Sequence, residues 1–591
     1  MPVNIAPVIK IYGTDLAADW LNALLEARVE KQYQLPTRVT LRFSDPAYLL
    51  VSSAHANLGK SVTLSQYDGA KLADVEITSI SSEQRPGEQP ELVITGLDKS
   101  HRLGRSTRIA VYQQMTYSDI VQRLAQEHGL STEVDSTEQQ IEYLMQAESD
   151  LVMLSELARR TGFDWWVDDA AKLHFAKPTA DGEVILKLGD NLRSFSARVS
   201  AVTPSDVQVD GWDRTKQAKV THVSSGATIP RPASEMADKA DGTQAAFGSA
   251  KVLAAGLGAQ NPTEAENLAQ TVYDRASASS VIAKGVSDGD AAITLGVKVK
   301  VEGAGPLSGT YPVTEVEHIF RPSIGFVTRF ESGDRRPTTM VDTLGGLTAA
   351  GAGVAYAGPA HFRGGVTVGV VTNNKDDDKM GRVKVRFPGM SEEVQTGWAR
   401  VVSIGGGSKR GSVWIPEVDD EVLIGFEGGD ARQPVVIGGL FGNKSTMPET
   451  KIEGGMVQSR ALTSRLGHVL SFLDGSEPSE QAVEVVLAGQ KHKIHLGKDQ
   501  VLVSVPGGVP VKITNEQATV EFDKQGNIKM EGMAFTINAK QKVSIQAPEI
   551  ELKGQASVNV KADGQLQLSG AMVDVKANGP TKIVGNPVMI N

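Results

Sequence analysis

Cysteine is absent from all 591 residues. That excludes a disulfide framework, thiolate nucleophiles and thiolate metal ligands, and it fits a reducing compartment. Aromatic residues are scarce at 5%, while glycine occurs sixty times, a balance that suits a turn-rich β protein. Long apolar runs are missing too. The blandest stretch, residues 347–359, is mostly Ala and Gly and too weakly apolar to span a bilayer. No basic surplus exists, because the net charge is −10, which argues against generic nucleic-acid binding. The opening Met1-Pro2-Val3-Asn4 runs directly into strand-like alternation, so no signal peptide is expected. A chain of this length should hold about three to five domains.

What is present is clearest in the last sixty or so residues, where apolar pairs recur. They are Ile528/Met530, Phe535/Ile537, Val543/Ile545, Ile550/Leu552, Val558/Val560, Leu566/Leu568 and Val573/Val575. The first members lie 7, 8, 7, 8, 8 and 7 residues apart. A spacing of two inside each pair sends both side chains from one face of a strand. Turn formers separate the pairs, among them Asn538-Ala539-Lys540, Ala547-Pro548, Asp563-Gly564 and Asn578-Gly579-Pro580. A short strand, a corner and a repeat describe a prism with β faces, a β-helical needle. Three steps cover 22 or 23 residues, one rung of a single-chain helix, and the pattern supplies fewer than three such rungs. So small a core is hard to stabilise alone. Three intertwined chains would triple the strands and close the sheet edges, so the expectation is a homotrimeric triple-stranded β-helix, with a short monomeric β-helix as the alternative. Residues 529–582 carry seven Lys against five acids, so the overall acidity does not come from this segment.

Upstream, residues 1–105 read as short strands. Thr116 caps an expected helix over 117–128 that stops at Gly129, and a second helix spans about 149–161 before Gly162. Residues 164–168 and 173–175 form an expected hairpin, and a third helix follows Pro262-Thr263. Residues 340–361 are a small-residue linker. Then come short strands at 366–372, 381–387, 396–402, 412–415, 421–426 and 435–439, a spacing that suits an OB-type barrel. The expected organisation is a hub at 1–335 of β barrels with an α/β insertion at about 108–185, a Gly/Ala-rich linker at 336–361, an OB-fold domain at 362–445 and a β-helical needle at 455–591. The fold class is mainly β.

Particular motifs carry a resemblance. Residues 117–129, Gln146-Ala147-Glu148-Ser149-Asp150-Leu151 and Leu157-Ala158-Arg159-Arg160-Thr161-Gly162 resemble the late-control-D hub of contractile phage tails. Gly211-Trp212-Asp213, residues 263–275 and residues 309–318 extend that likeness. Gly369-Val370-Val371-Thr372-Asn373-Asn374, Asp376, residues 381–388, Pro416, residues 419–423 and residues 434–438 resemble the OB domain of baseplate-assembly and VgrG spike proteins. Hub, barrel and needle in that order resemble a VgrG-like spike of a contractile injection system. The resemblance implies synthesis in the bacterial cytoplasm and a place at the centre of a baseplate, in a particle released from the cell or ejected into a target. It implies coupling of the inner tube to a membrane-puncturing needle. It also implies a homotrimer contacting inner-tube and baseplate proteins, effector cargo and, transiently, the target membrane. Two departures stand out. Such spikes can end in a metal-bound His-x-His tip, whereas the last histidine here is His495, and a lysozyme insertion has no room in the short stretch between Asn443 and Val457. The expectation is a blunt needle whose tip residues Pro587, Val588, Met589 and Ile590 are covered by a PAAR-type protein.

Candidate chemistry is thin. Asp376-Asp377-Asp378 could suggest a cation site, but a hairpin loop is favoured. His492 and His495 lie three apart and leave opposite faces of a strand, so they cannot share an ion there. Asp419-Asp420-Glu421 reads as a turn rather than an acid–base pair. Gly405-Gly406-Gly407-Ser408-Lys409-Arg410 lacks phosphate-loop spacing. Trp165 and Trp166 should divide between the hub interior and a subunit contact. No catalytic residue, metal ligand or cofactor is expected, and the protein is expected not to be an enzyme. The competing classes are a trimeric tail fibre or adhesin and, further off, a β-helical carbohydrate-active enzyme.

Overall fold

The computed structural model describes residues 6–590 except 215, 256–257, 336–364 and 390. The expected linker at 336–361 lies outside the described residues. The chain divides into two compact units, residues 1–447 and 448–591.

The first unit is built on an eleven-stranded antiparallel sheet. Its central neighbours, in order, are Gly325–Ser332, Glu315–Arg321, Leu24–Gln32, Arg38–Ser44, Glu91–Leu97 and Lys71–Glu83. The period-two pattern explains the core. In Arg38–Ser44, Val39, Leu41 and Phe43 point inward, while the polar residues between them are only partly covered. Trp20 packs edge-on against Phe43 at 5.0 Å between ring centroids. N- and C-terminal parts of the hub thus share one sheet, because Leu24–Gln32 pairs directly with Glu315–Arg321.

An α/β insertion interrupts this sheet. Two long strands, β1 (Thr107–Thr116) and β2 (Gln140–Ser149), pair antiparallel. Helix α1 (Tyr117–Glu127) opens on a capping box, with Thr116 and Asp119 exchanging side-chain-to-backbone hydrogen bonds. Helix α2 (Asp150–Thr161) is capped by Ser149 and stopped by Gly162 in the left-handed region at φ 74°. Their buried faces, with Leu124, Leu154 and Leu157, close over Trp165 and Phe175 of the hairpin Asp164–Val167/Lys172–Ala176. Helix α3 (Pro262–Ser280) starts on the Asn261 cap and covers the sheet of Ala218–Ser224, Asp206–Asp213 and Lys251–Ala255.

The barrel domain is a six-stranded sheet in which Val366–Asn373 lies between Lys384–Phe387 and Glu421–Phe426. Its core, Val371, Val383, Val385, Phe387, Val422, Ile424 and Val436, is extended by Tyr143 and Met145 from β2 of the hub. Two expectations change here. Residues 412–415 do not form a strand, and Val413 and Trp414 are exposed. Pro416, which follows directly, has no N–H to carry a ladder on. Of the strand expected at 396–402 only Arg400–Val401 forms, after the separate strand Ser391–Gln395, and Gly397 packs against Tyr143.

In the second unit, a five-stranded antiparallel meander runs from Ser459–Thr463 to Val501–Ser504, followed by a three-stranded one, Val511–Thr514, Thr519–Phe522 and Ile528–Glu531. None of the described apolar side chains in this unit is buried.

Candidate functional site: an unpaired apolar shaft

Residues 532–590 form no strand ladder and, among the described residues, no backbone–backbone hydrogen bond. They are not shapeless, however. Backbone bends fall at 532–533, 540–541, 548, 555–556, 563–564, 571, 578–579 and 586–587, steps of seven or eight residues. The bends coincide with the turn formers Lys540, Pro548, Asp563-Gly564 and Asn578-Gly579. Extended segments between them hold the apolar pairs. Ile528 and Met530 sit in the last strand of the three-stranded meander, and the other six pairs follow along the bent segment.

All fourteen of these side chains are more than half exposed. Phe535, Ile537, Val543, Ile545, Ile550, Leu552, Val558, Val560, Leu566, Leu568, Val573 and Val575 therefore form apolar faces covered by nothing within the chain. The opposite faces are polar, and some of them carry ion pairs. Lys529 pairs with Glu531 at 2.7 Å, Lys553 with Glu551 at 2.9 Å and Lys576 with Asp574 at 2.6 Å. Each such pair alternates with an apolar pair, and Thr536/Asn538, Ser544/Gln546 and Gln567/Ser569 take the same positions elsewhere, so the segment has one oily and one polar side. Val588, Met589 and Ile590 continue the exposed apolar set beyond Pro587.

This arrangement has a plain physical meaning. Open backbone donors and acceptors beside a continuous apolar face make a template for other strands. A single-chain β-helix would stack its own rungs, and residues 532–590 make no such pairing.

The remaining candidates resolve locally. Asp376 is nearly covered and clamps its own loop, accepting from Arg382 Nε at 3.0 Å and Nη2 at 2.7 Å and from the Met380 amide. Those hydrogen bonds, Arg382 first, hold its pKa down at about 2. Asp420 accepts from the Glu417 amide in a turn, and Gly407 and Arg410 exchange backbone hydrogen bonds across another. His495 Nδ1 meets Glu484 Oε1 at 2.6 Å, with Lys493 on the same oxygen, and His492 lies just before that strand. Trp165 is buried and donates to Ser155 Oγ, whereas Trp166 stacks on His174 at 4.7 Å within its own chain. Among the described residues, no cluster of three His or acidic side chains is placed to hold a metal ion. Sequence reasoning passed over the buried charges where the hub meets the barrel, because their members lie far apart in the chain.

Comparison with known proteins bears on the barrel first. Residues 367–441 match the family described as the type VI secretion system/phage-baseplate injector OB domain. A second family, the Alg8 N-terminal domain, matches residues 76–321. That span begins inside Lys71–Glu83 and ends on the last residue of Glu315–Arg321, so it cuts the hub sheet rather than following a unit of the fold. The type VI secretion system spike protein VgrG5 of Pseudomonas aeruginosa is 25% identical over 460 residues, 68% of this chain and 52% of the relative. The chain thus spans about half the length of that relative. VgrG3 of Vibrio cholerae is 40% identical over 75 residues, 12% of this chain and 7% of that protein. An E. coli component of the type VI secretion system, described as similar to the T4 tail proteins gp27 and gp5, superposes with a TM-score of 0.46 at 17% identity over 73% of this chain and 99% of that one.

Proposed function

We propose that this VgrG-like chain is the structural spike at the centre of a phage-tail-like contractile injection system, and that it works as a homotrimer. The observation that carries the reading is the unpaired shaft. A segment of about sixty residues bends every seven or eight, shows apolar pairs on one face and offers its whole backbone for pairing. Three copies wound about one axis would bury those faces against each other and satisfy the backbone between chains. The polar, partly ion-paired faces would remain outside. The product is a stiff rod, suited to transmitting a thrust delivered at the hub.

The family that matches the barrel and the spike proteins similar in sequence support the same assignment. In this reading the hub seats the inner tube and meets the baseplate, the shaft leads through the target envelope, and a PAAR-type protein covers the exposed Val588, Met589 and Ile590. The role is mechanical rather than catalytic, and cargo travels with the spike.

The test is the mass of the native particle in solution. Light scattering should give three times the chain mass of 62.9 kDa. Ile545→Asp would place three carboxylates on an apolar axis, at several kcal/mol per uncompensated charge. That variant should lose the trimer while keeping the hub fold. A monomeric wild type, or a variant trimer as heat-resistant as the wild type, would sink the assignment.

A further inference from the structure

The barrel could hang from the hub by its chain connection alone, yet the structure shows a buried charge cluster across the junction. Arg432, from the barrel loop before Pro434–Gly439, is almost fully covered. Its Nη1 donates to Glu264 Oε1 at 2.8 Å, in the first turn of α3, and to Tyr117 Oη at 3.3 Å, on the first residue of α1. Nη2 donates to the Gly258 carbonyl at 3.2 Å and to Asp430 Oδ2 at 2.7 Å, and Nε donates to the same Asp430. One barrel side chain therefore reaches two hub segments, the start of α1 and the turn that leads into α3.

The hub answers with Arg160 of α2. Its Nη1 donates to Glu264 Oε1 at 3.3 Å, its Nε lies 2.8 Å from Glu156 Oε1, and its Nη2 lies 4.0 Å from Asp430 Oδ2. Arg160, Arg432, Glu264 and Asp430 form a ring of two cations and two anions with every side chain at most about a tenth exposed. Burial would push the Asp430 carboxyl up, but Arg432 and Arg160 hold it well below the usual carboxylate range. Hub and barrel each supply one cation and one anion, and Arg432–Glu264 and Arg160–Asp430 are the pairs that cross the junction. Gly258 belongs to the fit as well, because a Cβ there would lie 3.0 Å from Asp430 Oδ2.

A second contact is independent of these charges. Tyr143 and Met145 of β2 complete the apolar core of the barrel, and Gly397 leaves room for the Tyr143 ring, since a Cβ there would lie 3.0 Å from Tyr143 Cβ. A charge ring and an apolar plug on one interface constrain tilt and slip together.

We propose that Arg432 is a clasp that fastens barrel to hub, so that the two unfold and carry load as one body. The geometry favours fastening over a passive contact. Arg432 is a planar fork with its donors used on both sides of the interface, and removing it would leave the buried Glu264 and Asp430 with only Arg160 between them.

The test is hydrogen exchange on the full chain through a urea titration, following hub strand Leu24–Gln32 and barrel strand Glu421–Phe426. In the wild type both should lose protection at the same urea concentration. Arg432→Met removes every donor, and there the barrel strand should open first, its exchange at intermediate urea at least tenfold faster than that of the hub strand. Arg432→Lys keeps the charge but loses the fork, so it should show the same separation to a smaller degree. If Arg432→Met does not fold, Arg432→Lys carries the test. Separate opening in the wild type, or joint opening in every variant that folds, would overturn the proposal. Trimer formation is not needed for either readout.

Discussion

Glu148, the penultimate residue of β2, holds a buried Oε2 with no hydrogen-bond partner. Burial, and after it the charge of Glu156, push its pKa up from 4.5 to about 7, with Arg160 opposing. Between these two values the folded protein keeps a proton that the unfolded chain has released. The stabilising contribution is therefore full below about pH 4.5 and is lost as pH rises through about 7. Glu148→Gln should remove this loss. Its urea midpoint should match the wild type near pH 5 and exceed it at pH 8, and a difference that does not grow with pH would refute the assignment. The sequence placed Glu148 in a recognisable motif, but its burial beside Glu156 depends on how α2 folds back on β2. The tryptophan pair was more legible. Alternation alone divides Trp165 from Trp166, although only the fold supplies His174 as the stacking partner of Trp166.

The elements that could be read were those with chemical punctuation at their ends. Thr116, Ser149 and Asn261 each accept a hydrogen bond from a backbone N–H at the start of a helix, and each is a residue type whose side chain favours that position. Helix α3 extends past 275, where the recognisable segment 263–275 stops. The helix runs to Ser280 because Ala276, Ser277, Ala278 and Ser280 are buried, a tertiary effect on residues with modest propensity. The strand expected at 412–415 fails for the opposite reason, since the consecutive apolar residues Val413, Trp414 and Ile415 face solvent. Gly162 offers a test at this scale. It ends α2 at φ 74°, and a Cβ would lie 2.8 Å from Thr271 Oγ1 of α3. Gly162→Ala combines left-handed strain of ~1–2 kcal/mol with that clash. Urea denaturation should show a loss of at least this size. Adding Thr271→Ala should recover only the steric part, and full recovery would mean that the backbone strain is negligible.

For the whole molecule, the repeat announced itself and the junction did not. Apolar pairs at steps of seven and eight are local information, so the bent shaft could be anticipated residue by residue. Arg432 and Glu264 are 168 positions apart, and no linear pattern brings them together. The shaft also makes a demand that a single chain cannot meet. Its backbone groups have no partners among the described residues, and its apolar pairs face outward. An isolated shaft should therefore exchange its amides at the rate of an unstructured peptide. In an intertwined trimer the same amides sit in interchain ladders, and opening one strand requires separating all three chains locally. Protection should then rise on the order of a thousandfold or more, with successive segments between the bends opening together rather than one at a time. Hydrogen exchange on the native protein, read across residues 534–585, decides between these states. Ile545→Asp provides the reference, because its shaft should exchange fast while the strands of the hub stay protected. Uniformly fast exchange in a wild-type particle of trimeric mass would place the chain–chain contacts elsewhere and leave the shaft without its assigned role.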